Sequence, residues 1–317
     1  MYRLSLLGRS RLKGGRGKMN NLSVGIDVGG TFTKMGLVDP QGEVLRSVQI
    51  PTEPSNGPAN FVRRAAAILR DWSFRSAGLG LAGGVDAATG HLLFAPNLKG
   101  WTGFSFTKAF SKSLGVCVAV DNDANAAVWG GYAVALEKKP RTVVGVTLGT
   151  GVGGGVIVDG RLHRGATGSA GEIGHMTLEL NGPRCHCGRR GCLEAYAGTA
   201  GVRRLAREFM RRPPSPLTPK AVADAAQDGD AGARKVWDEV GTRLGQGLAS
   251  LILVLNPDAV LLLGGVARAG DLVLDPVRRV FSAQPFREPF RKIVISAPTD
   301  RDWGVVGAAL LSRERRG

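Results

Sequence analysis

"LSVGIDVGGTFTKMGLVDPQGEVLRSVQI", from Leu22 to Ile50, sets apolar runs between glycine-bearing turns. An apolar strand enters a Gly-Gly-Thr turn, a second strand leaves it, and a Pro-Gln-Gly turn leads into a third. The succession returns from Thr142 to Gly165 as "TVVGVTLGTGVGGGVIVDGRLHRG", turning again at Asp159-Gly160. This is a repeat of architecture, with one glycine turn in each half, and has no short solenoid period. Helical patterns fill the intervals: "NFVRRAAAILRDW" from Asn60, "DANAAVWGGYAVALEKK" from Asp123, and a long, increasingly apolar stretch from Ala233 to Leu255. Thr218-Pro219, after the Pro-rich loop at 211–217, has the form of an N-cap followed by proline at the first helical position. "DAVLLLGG" and "KIVISAP" read as buried strands. Strands alternating with helices predict an α/β fold in two halves.

Composition agrees with a globular chain. Of 317 residues, 43% are hydrophobic and 21% charged, and the 47 glycines cluster after apolar runs without a collagen period. No stretch supplies the ~20 continuous apolar residues of a membrane span; the nearest, "LASLILVLNPDAVLLLGG", is broken at Asn256-Pro257-Asp258. The net charge of +16 raises the question of a polyanionic partner. Much of it is local: Arg3, Arg9, Arg11, Lys13, Arg16 and Lys18 stand in an acid-free start, "VRRLAREFMRR" carries a second group, and "RERR" closes the chain. These read as solvated surface, and residues 1–21 as a disordered basic tail lacking the apolar core of a secretory signal. Four cysteines, three of them within eight positions, do not form a disulfide framework, so a reducing, cytoplasmic setting is expected. Cys117, in the strand pattern "GVCVAV", reads as an inert buried thiol.

The glycine turns are the first places with chemistry. In "DVGGTFTK" and "LGTGVGGG", Gly29, Gly30 and Gly151 let backbone N–H groups converge on phosphate oxygens with no Cβ in the way. Thr31, Thr33 and Thr150 offer hydroxyls, Lys34 offers charge, and Asp27 at the strand end could hold Mg²⁺ through water. Gly149, Gly151 and Gly154 fit G-x-G-x-x-G, but a strand pattern follows instead of a helix, which rejects a dinucleotide fingerprint. A third strand-glycine turn at Gly264-Gly265 has room for an adenosine. Two loops, one per half, favour a nucleotide held between domains. At "DNDANAA" a strand gives way to a helix. Asp and Asn serve there as N-caps, and the helix dipole keeps a carboxylate ionised, as a general base requires. Asp123 is the expected base, with Asn122 orienting a neighbouring hydroxyl.

"DVGGTFTK", "DNDANAA", "LGTGVGGG", "GATGSAGEIGH" and "CHCGRRGCLE" occur in an order that resembles the ROK family of sugar kinases and sugar-responsive repressors. The resemblance covers nearly everything from Leu22 onward. It implies a two-domain actin/hexokinase-like (ribonuclease H-like) fold with an interdomain cleft, and an ATP-dependent hexokinase-type activity using Mg²⁺. The small domain is expected over 22–121 with a C-terminal helix at 303–317, and the large domain, with its zinc-binding loop, over 122–302. By position, Asp123 matches the catalytic base and Asn122 a sugar ligand. Glu172, His175 and Glu194 match hydroxyl-binding residues, and Gly83, Gly84 and Asn97 line the same pocket. Two departures stand out: Ala82 replaces a proline in the sugar loop "LAGGVD", and Asp121 stands where glutamate is more usual.

The cysteines follow C-x-C-x₄-C at 185, 187 and 192, which is not the C-x-x-C of a thioredoxin site. His175 completes a Cys₃His set suited to tetrahedral zinc, and the family pattern makes His186 a bystander. Four protein ligands imply a structural Zn²⁺ that ties the loop of Glu172 and His175 to the segment of Glu194. His175 then has one ring nitrogen for the metal and one for a sugar hydroxyl.

The expected reaction is phosphoryl transfer from ATP to a hexose, glucose foremost. N-acetylmannosamine or another hexose as acceptor, and polyphosphate as donor, stay open. A sugar-responsive DNA-binding regulator is the competing class. Such regulators carry a helix-turn-helix domain before the first glycine loop, and the 26 residues preceding Asp27 contain no paired amphipathic helices. A kinase is therefore expected, as a homodimer, with neither nucleic acid nor membrane as partner.

Overall fold

The computed structural model describes residues 21–314. The expected basic tail up to residue 20, and the last three residues of the expected C-terminal helix, lie outside the described residues. The chain forms two compact units. One runs to Lys138 and takes in Arg164–Ala170 and the residues from Arg301 onward; the other comprises Lys139–His163 and Gly171–Asp300.

The first unit is built from β1 (Ser23–Val28), β2 (Phe32–Val38), β3 (Val44–Pro51), α1 (Pro58–Leu69), β4 (Ser76–Leu81), β5 (Gly84–Asp86), β6 (His91–Phe94), α2 (Phe106–Leu114), β7 (Cys117–Asn122) and α3 (Asp123–Val134). Its main sheet has the order β3-β2-β1-β4-β7, antiparallel through the hairpins and parallel from β1 to β7. On one face the core gathers Phe61, Trp101, Phe106 and Phe110, with the Phe61 and Trp101 rings 5.1 Å apart.

The second unit contains β8 (Val143–Leu148), β9 (Val152–Val158), β10 (Arg161–His163), α4 (Glu194–Ala197), α5 (Thr199–Phe209), α6 (Pro219–Gln227), α7 (Ala231–Leu255), β11 (Ala259–Leu263), α8 (Asp271–Ser282) and β12 (Val294–Ser296). Its sheet order, β10-β9-β8-β11-β12, repeats the first strand for strand and direction for direction. The architectural repeat seen in the sequence is thus a repeat of topology. Thr218 caps α6 through a 3.1 Å bond from the Ala221 N–H, with Pro219 at the first turn. Asp230 caps α7, which ends where Asn256 turns left-handed before Pro257.

The chain then returns to the first unit as α9 (Trp303–Glu314). This helix is buried along nearly its whole length and approaches β1 so closely that a Cβ on Gly25 would lie 1.8 Å from the Val305 carbonyl oxygen. Gly130 of α3 meets Gly307 of α9 in the same backbone-to-backbone manner. That packing keeps α3 with the first unit, so the division falls after Lys138, not between Asp121 and Asn122 as the sequence suggested. α3 also ends earlier than its pattern implied, because Glu137 and Lys138 have positive φ. Cys117 is the outermost residue of β7 and is exposed, correcting its reading as a buried thiol. Among the described residues no helix is long and apolar enough to cross a membrane.

Candidate active site and cysteine cluster

Parallel strands β1, β4 and β7 stop in register, with Val28 opposite Leu81 and Leu81 opposite Asn122. Their carboxyl ends therefore form one rim, the usual place for ligands in an open α/β sheet. On this rim of the first unit stand Asp27, Gly29, Gly30, Gly83, Asn122 and Asp123.

The Gly29–Thr31 turn is braced by a residue the sequence reading missed. Thr52, just past β3, donates its hydroxyl to the Gly29 carbonyl at 2.7 Å and its N–H to the Thr31 carbonyl at 2.9 Å. In a trans peptide the C=O and the next N–H point in opposite directions. Holding these two carbonyls toward Thr52 therefore turns the N–H groups of Gly30 and Phe32 the other way. Thr33 does not offer a hydroxyl to a phosphate: it is fully buried on the inward face of β2 and bonds Thr52 at 3.0 Å. Thr31 and Lys34 are exposed, and Lys34 pairs with Asp302 at 2.7 Å.

The second unit's loop is braced alike. Gly149, the residue after β8, has its carbonyl held by both the hydroxyl (2.8 Å) and the N–H (3.0 Å) of Thr199 at the start of α5. The Thr150 N–H is thereby turned outward. A Cβ on Gly151 would lie 2.3 Å from the Glu194 carboxylate, so a larger residue there would push Glu194 off the loop. Gly264, after β11, lies against the Leu148 carbonyl with φ of 96°, and Gly265 has open space where a Cβ would be. Both are exposed.

Asp27 has its carboxyl raised from 3.8 to about 7, first by burial and then by the neighbouring charges of Asp123 and Asp302, with Lys34 opposing. Gly304 leaves it room: a Cβ there would lie 2.6 Å from the carboxylate. Three acids around one lysine make a donor set suited to a hard divalent cation, so the residues present fit the expected Mg²⁺.

Asn122 is the N-cap of α3. Its Oδ1 accepts from the N–H groups of Ala124 (2.8 Å) and Asn125 (3.1 Å), while Nδ2 donates to the Gly83 carbonyl at 3.0 Å. It ties the "LAGGVD" turn to the helix and keeps one N–H for a ligand. Asp123 follows as the first helical residue. Asn97 is exposed and packs beside Gly30, whose Cβ would lie 2.8 Å from that of Asn97. Gly84 opens β5 on the same turn.

In the second unit, His175, Cys185, Cys187 and Cys192 come together, with one ligand atom from each all within 4.8 Å of one another. The Cys187 and Cys192 sulfurs are 3.7 Å apart, and the Cys185 sulfur is 3.8 Å from His175 Nδ1. Tetrahedral bonds of ~2.3 Å to zinc set sulfur–sulfur edges of about 3.8 Å. The cluster fits that metal. Nδ1 faces the thiols, and Nε2 lies 3.9 Å from the Glu172 carboxylate. Burial raises the thiols of Cys185 and Cys192, whereas the Arg189 backbone N–H lowers that of Cys187. Glu194 accepts from Cys185 at 3.2 Å through one oxygen and from the Val152 N–H at 3.0 Å through the other. It thus joins the cysteine cluster to the glycine loop. His186 is exposed and takes no part in the cluster.

Behind the cluster lies a brace invisible in the sequence. Glu179 accepts from Tyr196 (2.6 Å) and from Arg243 of α7. The Arg243 guanidinium lies 4.9 Å from the Tyr196 ring centre, worth about 1 kcal/mol at a partly exposed site.

A sequence profile described as the ROK family matches residues 23–315. The glucokinase of Thermotoga maritima is 34% identical over 312 residues, covering 93% of this chain and 98% of that protein. The glucokinase of Streptomyces coelicolor is also 34% identical, over 313 residues, covering 92% and 98%. Among solved structures, a ROK family glucokinase from Streptomyces griseus in complex with glucose and AMPPNP superposes with a TM-score of 0.81 at 33% identity, covering 93% of this chain and all of that one. The α/β fold of two units is accordingly the actin/hexokinase-like fold expected from the sequence. Matched along almost all its length, this chain belongs to the ROK family.

Proposed function

We propose that this protein is an ATP-dependent hexose kinase that phosphorylates glucose at its 6-hydroxyl. The observation that carries the reading is the rim of the first unit. There a carboxylate, Asp123, opens a helix capped by Asn122, beside a braced glycine turn and the acid cluster of Asp27. The relatedness to glucokinases at about one-third identity supports the same reading.

Asp123 accepts the proton of the attacking hydroxyl as the oxygen bonds to the γ-phosphorus and the bond to the ADP oxygen breaks, giving the sugar phosphate and ADP. Asn122 and the Gly83-Gly84 turn orient neighbouring hydroxyls, with Asn97 lining the pocket, while Glu172, His175 Nε2 and Glu194 bind others. The turned-out N–H groups beside Gly29 and Gly149, with Thr31, Thr150 and Lys34, hold phosphates, and Gly264-Gly265 admit the adenosine. Asp27 would hold magnesium, which when bound would supply charge neutralisation at the phosphates. His175, Cys185, Cys187 and Cys192 would hold a structural zinc, which would fix the segments of Glu172 and Glu194. A cytoplasmic homodimer is part of the same reading.

The test is a sugar-by-donor activity panel with purified protein: glucose, mannose and N-acetylmannosamine against ATP and polyphosphate. The highest kcat/KM is expected for glucose with ATP. A preference for N-acetylmannosamine overturns the acceptor, and a preference for polyphosphate overturns the donor.

A further inference from the structure

Asp121 is among the few charged side chains buried in the first unit, at 4% exposure, and it sits two residues before Asp123. Its carboxylate is fully engaged. Oδ1 accepts from the Asn122 N–H (2.9 Å) and from Asn125 Nδ2 (3.0 Å), itself a buried side chain of α3. Oδ2 accepts twice from Arg164, from Nε at 2.9 Å and from Nη2 at 2.7 Å. Arg164 starts the short segment Arg164–Ala170, which belongs to the first unit although its flanking residues belong to the second. It is the cationic partner the structure gives to this buried acid.

The geometry points to Arg164 as a positioning residue for phosphoryl transfer: by engaging Asp121, it holds the Asn122 cap and the first turn of α3 that carries Asp123. This rests on the reading of Asp123 as the base. The physical case has two parts. A buried carboxylate that loses its cation is strongly disfavoured and must find other donors or water, which disturbs whatever it orients. Here it orients the backbone N–H of Asn122 and the side chain of Asn125, one on each side of Asp123. Because the arrangement controls where the base points rather than what binds, its loss falls mainly on kcat. Displacement of a reacting group by about 1 Å costs ~10²-fold in rate.

The experiment measures kcat and KM for glucose and ATP, with thermal melting, in full-length wild type, Arg164→Ala and Arg164→Lys. Asp123→Asn is a parallel control. Arg164→Ala is expected to lower kcat by about 10–100-fold with both KM values within about threefold. Arg164→Lys keeps the charge but loses the paired bonds, and is expected to recover kcat to within about tenfold of wild type. A folded Arg164→Ala protein with wild-type kcat overturns the proposal. So does one in which both KM values rise as far as kcat falls, which is general loosening. If the alanine variant does not fold, the lysine variant decides: wild-type kcat in it removes any role for the paired bonds, and a several-fold loss at unchanged KM supports them. Near-normal turnover in Asp123→Asn sinks the assignment of the base itself, whatever Arg164 does.

Discussion

In the first unit Asp27 faces Lys34 across the hairpin of β1 and β2. At the same register of the second unit, Thr147 faces Gly153 across β8 and β9. Both hairpins have Gly opposite Gly two positions earlier, Gly25 with Gly36 and Gly145 with Gly155, and both are followed by a glycine whose carbonyl is held by a distant threonine. The backbone device is thus duplicated while the charge is not. Outward N–H groups at a glycine turn serve any phosphate, so both halves keep them. Carboxylates crowded at a strand end raise one another and cost stability, so a fold tolerates that arrangement where chemistry uses it. The second unit's candidate site lies elsewhere, in the cysteine cluster and the glutamates beside it.

Removing the acid of the first rim is expected to have the largest effect. Asp123→Asn keeps size and hydrogen bonding but takes away the proton acceptor, so kcat should fall by ~10²–10⁴-fold with glucose KM and melting temperature nearly unchanged. Stopped assays with glucose titrations check this. A comparable kcat loss from Thr147→Val would break the contrast, since the second hairpin would then carry reactive chemistry too.

The second unit is tested at its own chemistry. Cys187→Ser removes one of the four proposed ligands, and metal binding energy is folding energy for such a loop. Wild-type protein is expected to carry one zinc per chain. The variant should melt lower and show a glucose KM raised about tenfold, with ATP KM within about threefold. Metal analysis beside both titrations decides. Absence of zinc in active wild type removes the metal reading, and normal glucose KM in a metal-free variant leaves the cluster as a stabiliser only.

The duplicated brace predicts a smaller, paired effect. Thr52→Val and Thr199→Val each delete a hydroxyl bonded to the first glycine carbonyl of a loop, a loss of about 1 kcal/mol each. ATP KM should rise about fivefold in both and glucose KM stay put. A rise in only one would show that the two loops, alike in backbone, are unequal in holding phosphate.

Neither brace was legible beforehand, and the reason is distance along the chain. Thr52 lies 23 residues from Gly29 and Thr199 lies 50 from Gly149. The same holds for Arg164 with Asp121 and for Arg243 with Glu179, whose meetings depend on which elements stack. By contrast the hairpins and the Thr218-Pro219 cap are set by patterns a few residues wide and are recovered as read, and His175 and the three cysteines, close in the chain, also come together. Thr33 was misjudged because its residue type suits a phosphate loop while strand alternation turns it inward, beneath exposed Phe32 and Lys34. Asn122 reads from the sequence as a helix cap and a sugar ligand, and the cap is found. Its bond to Gly83, 39 residues away, is what an Asn-Asp pair in sequence cannot disclose.

The smallest expected effect concerns the cost of the acid cluster itself. Asp27 is raised from 3.8 to about 7, so between those values the folded chain keeps a proton that the unfolded chain has released. Stability then falls as pH rises through that window, and the contribution is fully present only below about pH 4. Between pH 6 and 8 the folded state holds about half a proton more on average, which corresponds to about 1 kcal/mol of lost stability after allowance for solvent screening. Asp27→Asn should remove that slope, so that the variant gains on wild type by about this amount between pH 6 and pH 8 when nucleotide and magnesium are absent. Magnesium with nucleotide should shrink the difference, since a cation bound at the ionised carboxylate stabilises the wild-type folded state by mass action. Denaturant melts at pH 6 and pH 8, with and without magnesium and AMPPNP, read this without reference to turnover. Parallel pH slopes in the two proteins would mean that Asp27 is ionised at neutral pH without cost, and the contrast between the charged and uncharged hairpins would then lose its energetic basis.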